Sequence, residues 1–403
     1  MLSRSVVPVY KFSARTASTL LCTALLVTTA ALVTSCGSSS PAHTTADAPP
    51  QPNYPSAPPV PITWSPETSK LPAPPAEVPP PAASNDFPLL VASPLDKASV
   101  GSPLTVTASA NPKNPIFFMR VYVDQLAVYF TFGNTINAQI FVAPGQHTIE
   151  VMAEDRKGYI SATPLHVTVS SQPQQTTITG IQALPGWLDC GKNFPPGSGR
   201  DGQVCASGGG DPTSQMTQNV SSPSMDGNSA EFSISPALPA CPGYCNQLYW
   251  NPVAGGNNVS HFTYDLYFTV DDPTAPQALE FDLNQTYGGQ RWVWGSECNF
   301  KGDGVWDIWD DASGLWRPTT IPCLATQFPA NQWNHIIWDV QQAGSNVQYN
   351  TLTVNGTTYP VNTTYANQQQ WTLEEIDAAF QVDMDQLGHP YHAWLDKVNL
   401  TAQ

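Results

Sequence analysis

Charge is scarce in this sequence. Only 11% of its 403 residues are Asp, Glu, Lys or Arg, with 15 basic side chains against 31 acidic ones and a formal charge of −16. Basic residues are nowhere clustered, so the chain lacks the Lys/Arg surface that phosphate backbones require, which excludes nucleic acid as a partner. The acidity favours solubility. Long apolar runs are missing after residue 33, so no later segment reaches the ~20 apolar residues of a membrane-spanning helix. Helical periodicity is almost absent; the one candidate is "TLEEIDAA" (372–379), where Thr372 could cap with Glu375. No Gly-x-Ser-x-Gly elbow, His-Glu-x-x-His pair or phosphate loop occurs, which removes the common hydrolase, metalloprotease and nucleotide signatures. His335, His389 and His392 read as structural or exposed.

The N-terminus has a targeting pattern. Arg4, Lys11 and Arg15 form a basic region and residues 20–33 an apolar one. Val33, Thr34, Ser35 and Cys36 then resemble the lipobox of bacterial lipoproteins. The resemblance implies that residues 1–35 are a signal peptide, that Cys36 becomes the lipidated first residue, and that the chain is exported and touches the membrane only through its lipid. Gly37 stands where Asp would retain an enteric lipoprotein in the inner membrane, which points to the outer membrane or cell surface.

With Cys22 removed and Cys36 lipidated, Cys190, Cys205, Cys241, Cys245, Cys298 and Cys323 remain. An even set in an oxidising compartment reads as disulfides. Pairing sequence neighbours gives 190–205, 241–245 and 298–323. "CPGYC" lacks the second close pair of a zinc site.

Composition divides the mature chain. Residues 36–86 are dominated by Pro, Ser, Ala and Thr, which cannot bury a core and read as an extended tether. Residues 87–171 carry short alternating strands such as "PLTVTASA" and "HTIEVMAED" between turns. The run Gly145–Asp155, with its "G-x-H-x-I-x-V-x-A-x-D" pattern, resembles bacterial immunoglobulin-like domains and implies a β-sandwich used as a spacer or adhesion module. Residues 172–403 form a larger part with a Gly- and Cys-rich start. Strict alternation follows. "HFTYDLYFTV" puts Phe262, Tyr264, Leu266 and Phe268 on one face. "ALEFDLNQ" puts Leu279, Phe281 and Leu283 inward and Glu280, Asp282 and Asn284 outward. "FQVDMDQ" turns Gln381, Asp383 and Asp385 outward. One buried and one wet face is the signature of antiparallel sheets.

From about 245 to 403 the strand order resembles the concanavalin A-like lectin/glucanase jelly roll. The expected architecture is all-β: a disordered tether, an immunoglobulin-like sandwich and a jelly roll. In laminarinase-type enzymes of that fold a strand reads Glu-x-Asp-x-Glu, with nucleophile, assisting residue and acid/base in that order. Here Glu280 and Asp282 match the first two positions, but Asn284 (or Gln285 with an insertion) replaces the acid. Retaining glycosidases need two carboxyls, one of them a proton donor, so the substitution weighs against hydrolysis. The alginate-lyase pattern also fails, because Asp383 stands where its His is needed.

Aromatics argue for binding. Trp292, Trp294, Trp306, Trp309 and Trp316 fall in one stretch, and aromatic planes beside polar acceptors compose ligand sites. The expected site is a carbohydrate-binding face of Glu280, Asp282, Asn284, Gln381, Asp383 and Asp385, walled by Trp292 and Trp294. The expected ligand is a polysaccharide, with no cofactor; Asp303, Asp307, Asp310 and Asp311 leave room for a structural calcium. The alternatives are a divergent laminarinase-type glycoside hydrolase with Glu280 and Asp282 as catalytic carboxylates, and a structural or adhesion protein without a sugar site.

Overall fold

The computed structural model describes residues 85–170, 175–189, 213–236, 246–367, 373–385 and 387–403. These all belong to one unit, Ala57–Gln403. The signal, lipobox and nearly all of the tether, together with Cys190, Cys205, Cys241 and Cys245, lie outside the described residues.

The fold class is all-β, as alternation implied, and three sheets make it up. The head is a two-sheet sandwich. Its first sheet runs in the order Asn246–Gly256, Glu375–Met384, Pro276–Tyr287, Ser296–Cys298, Val305–Asp310 and Leu315–Pro322. Its second sheet runs Thr213–Val220, Ser229–Ser235, Tyr391–Ala402, His261–Val270, Asn334–Ala343, Asn346–Val354 and Thr357–Ala366. Phe262, Leu266 and Phe268 from the second sheet meet Leu279, Phe281, Phe380 and Val382 from the first in one core. Each such buried side chain contributes about 1.5–3 kcal/mol. The alternation in "ALEFDLNQ" thus marks the core face correctly.

The helix expected at 372–379 does not form. From Glu375 the chain is the strand Glu375–Met384, buried along its whole length and paired on both sides, with Asn246–Gly256 and Pro276–Tyr287. Ladder hydrogen bonds and burial in a central position outweigh the weak local helical preference of so short a segment.

Cys298 and Cys323 form a disulfide with Cα atoms 5.6 Å apart, the pairing expected from sequence proximity. It closes the hairpin region of the first sheet, and a loop of this size is stabilised on the order of 3 kcal/mol.

The segment between 87 and 171 is a smaller sandwich. Its five-stranded sheet runs Ala98–Val100, Ile160–Val169, Gly145–Asp155, Ile116–Val123 and Leu126–Thr131. It packs through Met119, Val121, Ile149 and Val151 against Val106, Ala138 and Ile140 of the strands opposite. Those strands are not a separate sheet. Thr135–Phe141 pairs in parallel with Asn246–Gly256, matching Gln139 with Ala254 and Phe141 with Gly256. The first sheet of the head therefore continues into the smaller sandwich. Gly255 permits the approach: a side chain there would run into the Val128 carbonyl.

Candidate functional site

The outward face of the first sheet collects carboxylates. In the central strand pair Glu280 stands opposite Gln381, Asp282 opposite Ala379 and Asn284 opposite Asp377. On the other side of Pro276–Tyr287, Glu280 stands opposite Glu297, which in turn faces Asp307. Residues opposite one another in a ladder point to the same face. Glu280, Asp282, Glu297, Asp307, Asp377 and Asp383 thus share one face, away from the core. Carboxylate oxygens of Glu280, Glu297 and Asp383 lie within 4.8 Å of one another.

Hydrogen bonds order this face. The Gln381 amide donates to Glu280. The Ser296 backbone N–H donates to Asp282 Oδ1 at 3.0 Å. Asn284 Nδ2 donates to Asp377 Oδ1 at 2.8 Å, and Asn299 Nδ2 to Asp307 Oδ2 at 3.0 Å. One buried oxygen on each of Glu297, Asp307 and Asp383 has no N–H donor among the described residues.

Electrostatics follow from burial among like charges. Burial, then the charges of Asp383, Asp282 and Glu297, raises Glu280 well above the usual carboxyl range. Burial, then Asp383 and Asp307, does the same to Glu297, which is only 2% exposed. Burial pushes Asp282 up to about 7 against the Ser296 N–H, and Asp383 to about 7 against hydrogen bonds from Glu280 and Gln381. Asp307 rises to about 6 by burial, against its bond from Asn299. Asp377 also rises to about 6 by burial, opposed by the positive charge of Arg291. Glu280 lies beside Asp383 and Glu297 beside Asp307, so in each pair the neighbouring carboxylate favours the protonated form. Such a cluster keeps protonated carboxyls near neutral pH. Glu280, Glu297 and Asp383 are also the one group of converging ligands among the described residues, and their hard oxygens suit Ca²⁺ or Mg²⁺.

The structure brings Glu280, Asp282, Gln381 and Asp383 together as read from the sequence, and it adds Glu297, Asp307 and Asp377. Asp377 lay inside the expected helix. Glu297 sits in a strand of three residues, too short to show alternation; its one sequence signal was its place between the Trp-rich stretch and Cys298. Asn284 is on the face but only 3% exposed, its amide committed to Asp377.

Three expectations are corrected. Trp292 and Trp294 are 4% and 2% exposed and lie in the core. They pair with Gln285 and Leu283, the inward residues of "ALEFDLNQ", so the pleat turns them away from the carboxylates. Asp385 lies past the end of its strand and holds a loop. It accepts from Lys301 Nζ, from His389 Nδ1 and from the backbone N–H of Leu387 and His389. Burial would raise its pKa, but the Lys301 bond and the others hold it below the usual value. The aspartates of "GDGVWDIWDD" do not converge: Asp307 binds Asn299, Asp310 binds Arg317 at 3.0 Å and Asp311 accepts from Trp309 Nε1. His335 and His392 pair with Asp265 and Glu231 on the second sheet, away from the carboxylates.

The aromatic border comes from other tryptophans. Trp309 faces Trp316 across a strand pair, with ring centroids 5.3 Å apart, edge to face. Gly295 makes room for them. A Cβ there would lie 2.9 Å from Trp309 Cβ, 3.3 Å from Trp316 Cη2 and 3.6 Å from Asp282 Oδ1. The Trp316 ring therefore reaches over Gly295 to the neighbourhood of Asp282. On the far side, Trp250 stands opposite Ala379 on the same face.

No family model matches the chain, and no curated protein matches it. Similar solved structures include a carbohydrate-binding module of the β-sandwich superfamily, with 12% identity over 77% of this chain and 95% of that one, at a TM-score of 0.26. Arcelin-5, a lectin-like defence protein from Phaseolus vulgaris, shares 9% identity over 57% and 98%, at 0.34. A lichenase from a mouse hindgut metagenome shares 11% over 57% and 99%, at 0.32.

Proposed function

We propose that the head binds a polysaccharide across its carboxylate face. The observation that carries this reading is the Trp316 ring laid over Gly295 beside Asp282. A part-exposed aromatic plane next to a row of acceptors matches the apolar C–H faces and hydroxyls of a sugar. Glu280, Asp282, Gln381 and Asp383 would accept or donate hydroxyl hydrogen bonds, and Trp309 would support the Trp316 ring. A glycan array probed with the full chain, with and without calcium, tests it. Binding to a defined polysaccharide class that Trp316→Ala abolishes is expected; no binding to any glycan overturns it.

A second reading, glycoside hydrolysis, is favoured by Glu297. The proton donor missing at Asn284 has a counterpart on the neighbouring strand, where Glu297 faces Glu280 with oxygens within 4.8 Å. Retaining enzymes hold their two carboxyls ~5–5.5 Å apart. In this reading the Glu280 carboxylate would attack the anomeric carbon and Glu297 would protonate the leaving oxygen. Turnover of the bound polysaccharide that disappears in both Glu280→Gln and Glu297→Gln would establish it.

We also infer that the chain is an exported lipoprotein held by Cys36 at the outer membrane or cell surface, from the lipobox resemblance and the Pro-rich tether. Labelled fatty acid incorporated by the wild type and lost in Cys36→Ala is the expected result; unlabelled wild type would count against it.

A further inference from the structure

Glu280, Glu297 and Asp383 come from three strands that lie side by side in the first sheet: Pro276–Tyr287, Ser296–Cys298 and Glu375–Met384. Glu297 stands opposite Glu280. Asp383 follows Gln381, the other partner of Glu280, by two residues. The pleat returns it to the same face on the diagonal, within side-chain reach. The three carboxylates therefore converge on one strand from both sides, with oxygens within 4.8 Å of one another.

These acids differ from a solvated row. Glu297 is only 2% exposed, yet its Oε1 has no N–H or hydroxyl donor among the described residues. Asp383 Oδ1 is buried in the same state, as is Oδ1 of Asp307, which stands opposite Glu297 on the next strand. The buried Asp396, by contrast, accepts from Gln182 Nε2, Ser224 Oγ and the Met225 N–H. Arg120, Lys301 and Arg317 pair with Glu374, Asp385 and Asp310 and bring no charge to the group. Buried acceptors without donors are costly. A single cation satisfies several of them at once.

We infer that Glu280, Glu297 and Asp383 form a calcium site on the carboxylate face. Calcium holds oxygens at roughly 2.3–2.6 Å, so its ligands stand up to about 5 Å apart, whereas the octahedron of magnesium draws them to about 4 Å or less. The ladder fixes the three carboxylates on separate strands, and calcium tolerates the irregular shell that results. Glu280 is partly exposed, so the cluster opens to solvent on one side, where the ion enters and waters complete its shell. The ion would tie three strands together and offset like charges at their junction. It would also engage both carboxyls that glycoside hydrolysis needs, so calcium occupancy and turnover would exclude each other. The inference goes beyond the polysaccharide reading and does not depend on it.

The test is calorimetric titration of the full chain, stripped of metal with a chelator, with CaCl2 and separately with MgCl2 at neutral pH. One calcium per chain is expected, with protons released as it binds, and magnesium should bind more weakly. Glu297→Gln and Asp383→Asn should each weaken calcium binding by about tenfold or more, because affinity follows the charge of the ligand set. Asp303→Asn, which alters an exposed acid outside the cluster, should not. Thermal melting separates a lost ligand from a lost fold. At one calcium concentration, Tm should rise more in wild type and Asp303→Asn than in the two ligand variants. No calcium binding by the folded wild type at millimolar concentration, unchanged affinity in both ligand variants, or magnesium bound as tightly as calcium would each overturn the inference. No glycan is present in these titrations. Their failure therefore leaves the polysaccharide reading to the array, and an array without hits leaves a measured calcium site standing.

Discussion

Glu280 stands directly opposite Glu297 across an antiparallel strand pair, with their carboxyl oxygens within 4.8 Å. Like charges so placed destabilise the folded chain unless protons are held between them. Glu297→Gln replaces a carboxyl that burial forces toward its protonated form with a neutral amide that can donate to Asp307. The variant should be more stable than wild type at pH 7 by about 1 kcal/mol, a rise in Tm of ~2–4 °C. Differential scanning calorimetry checks it; a lower Tm would show that the protonated Glu297 carboxyl is worth more than the relief of repulsion.

Stability should fall as pH rises toward neutrality. Asp282 and Asp383 rise from 3.8 to about 7, and Asp307 and Asp377 from 3.8 to about 6, mainly through burial. The folded state then binds more protons than the unfolded state between about pH 4 and 7. A raised acid contributes stability below its unfolded pKa and loses it as pH climbs through the folded one, at about 1.4 kcal/mol per pH unit for each proton involved. Tm should therefore decline from about pH 5 to about pH 7.5, and Asp282→Asn with Asp383→Asn should flatten the slope. Asp385 and Asp310, both lowered, act in the opposite sense and only below about pH 4. A Tm that climbs through this range would contradict the carboxyl cluster.

Asp385 separates loop architecture from ligand binding. Asp385→Asn leaves Lys301 and His389 without their carboxylate and weakens the bonds to two backbone N–H groups. Charge-assisted bonds of this kind are each worth about 1.5–3 kcal/mol, so chemical denaturation should report a loss of that order. Glycan affinity should not change.

Trp316 and Trp292 should respond oppositely to truncation. Trp292 is packed in the core, stacked on Tyr287 with centroids 4.8 Å apart, and Trp292→Ala should cost about 3–5 kcal/mol of stability. Trp316→Ala should lose glycan binding with a smaller change in Tm. Gly295→Ala forces a Cβ between Trp309 and Trp316. It should weaken binding and destabilise by about 1–3 kcal/mol.

The strands that carry the site were legible because alternation is local. "ALEFDLNQ" and "FQVDMDQ" each declared a wet and a buried face, so Glu280, Asp282, Gln381 and Asp383 could be named before any pairing was known. The wet face of a third contributor, Ser296–Cys298, could not be read from so short a strand. Asp377 was hidden for a different reason. "TLEEIDAA" has a local helical pattern, and only its two flanking strands convert it to the centre of a sheet.

The sequence alone determined that the chain is all-β, scarce in charge, acidic, and equipped with a carboxylate row interrupted at Asn284, because composition and a period of two are properties of the chain itself. Tertiary structure decided which strands are neighbours. That register set Glu297 against Glu280 and turned Trp292 and Trp294 into the core. It also brought Trp309 and Trp316 to the carboxylates. Such relations depend on hydrogen-bond pairing between segments as distant in the chain as Thr177 and Thr401, and no local pattern specifies them.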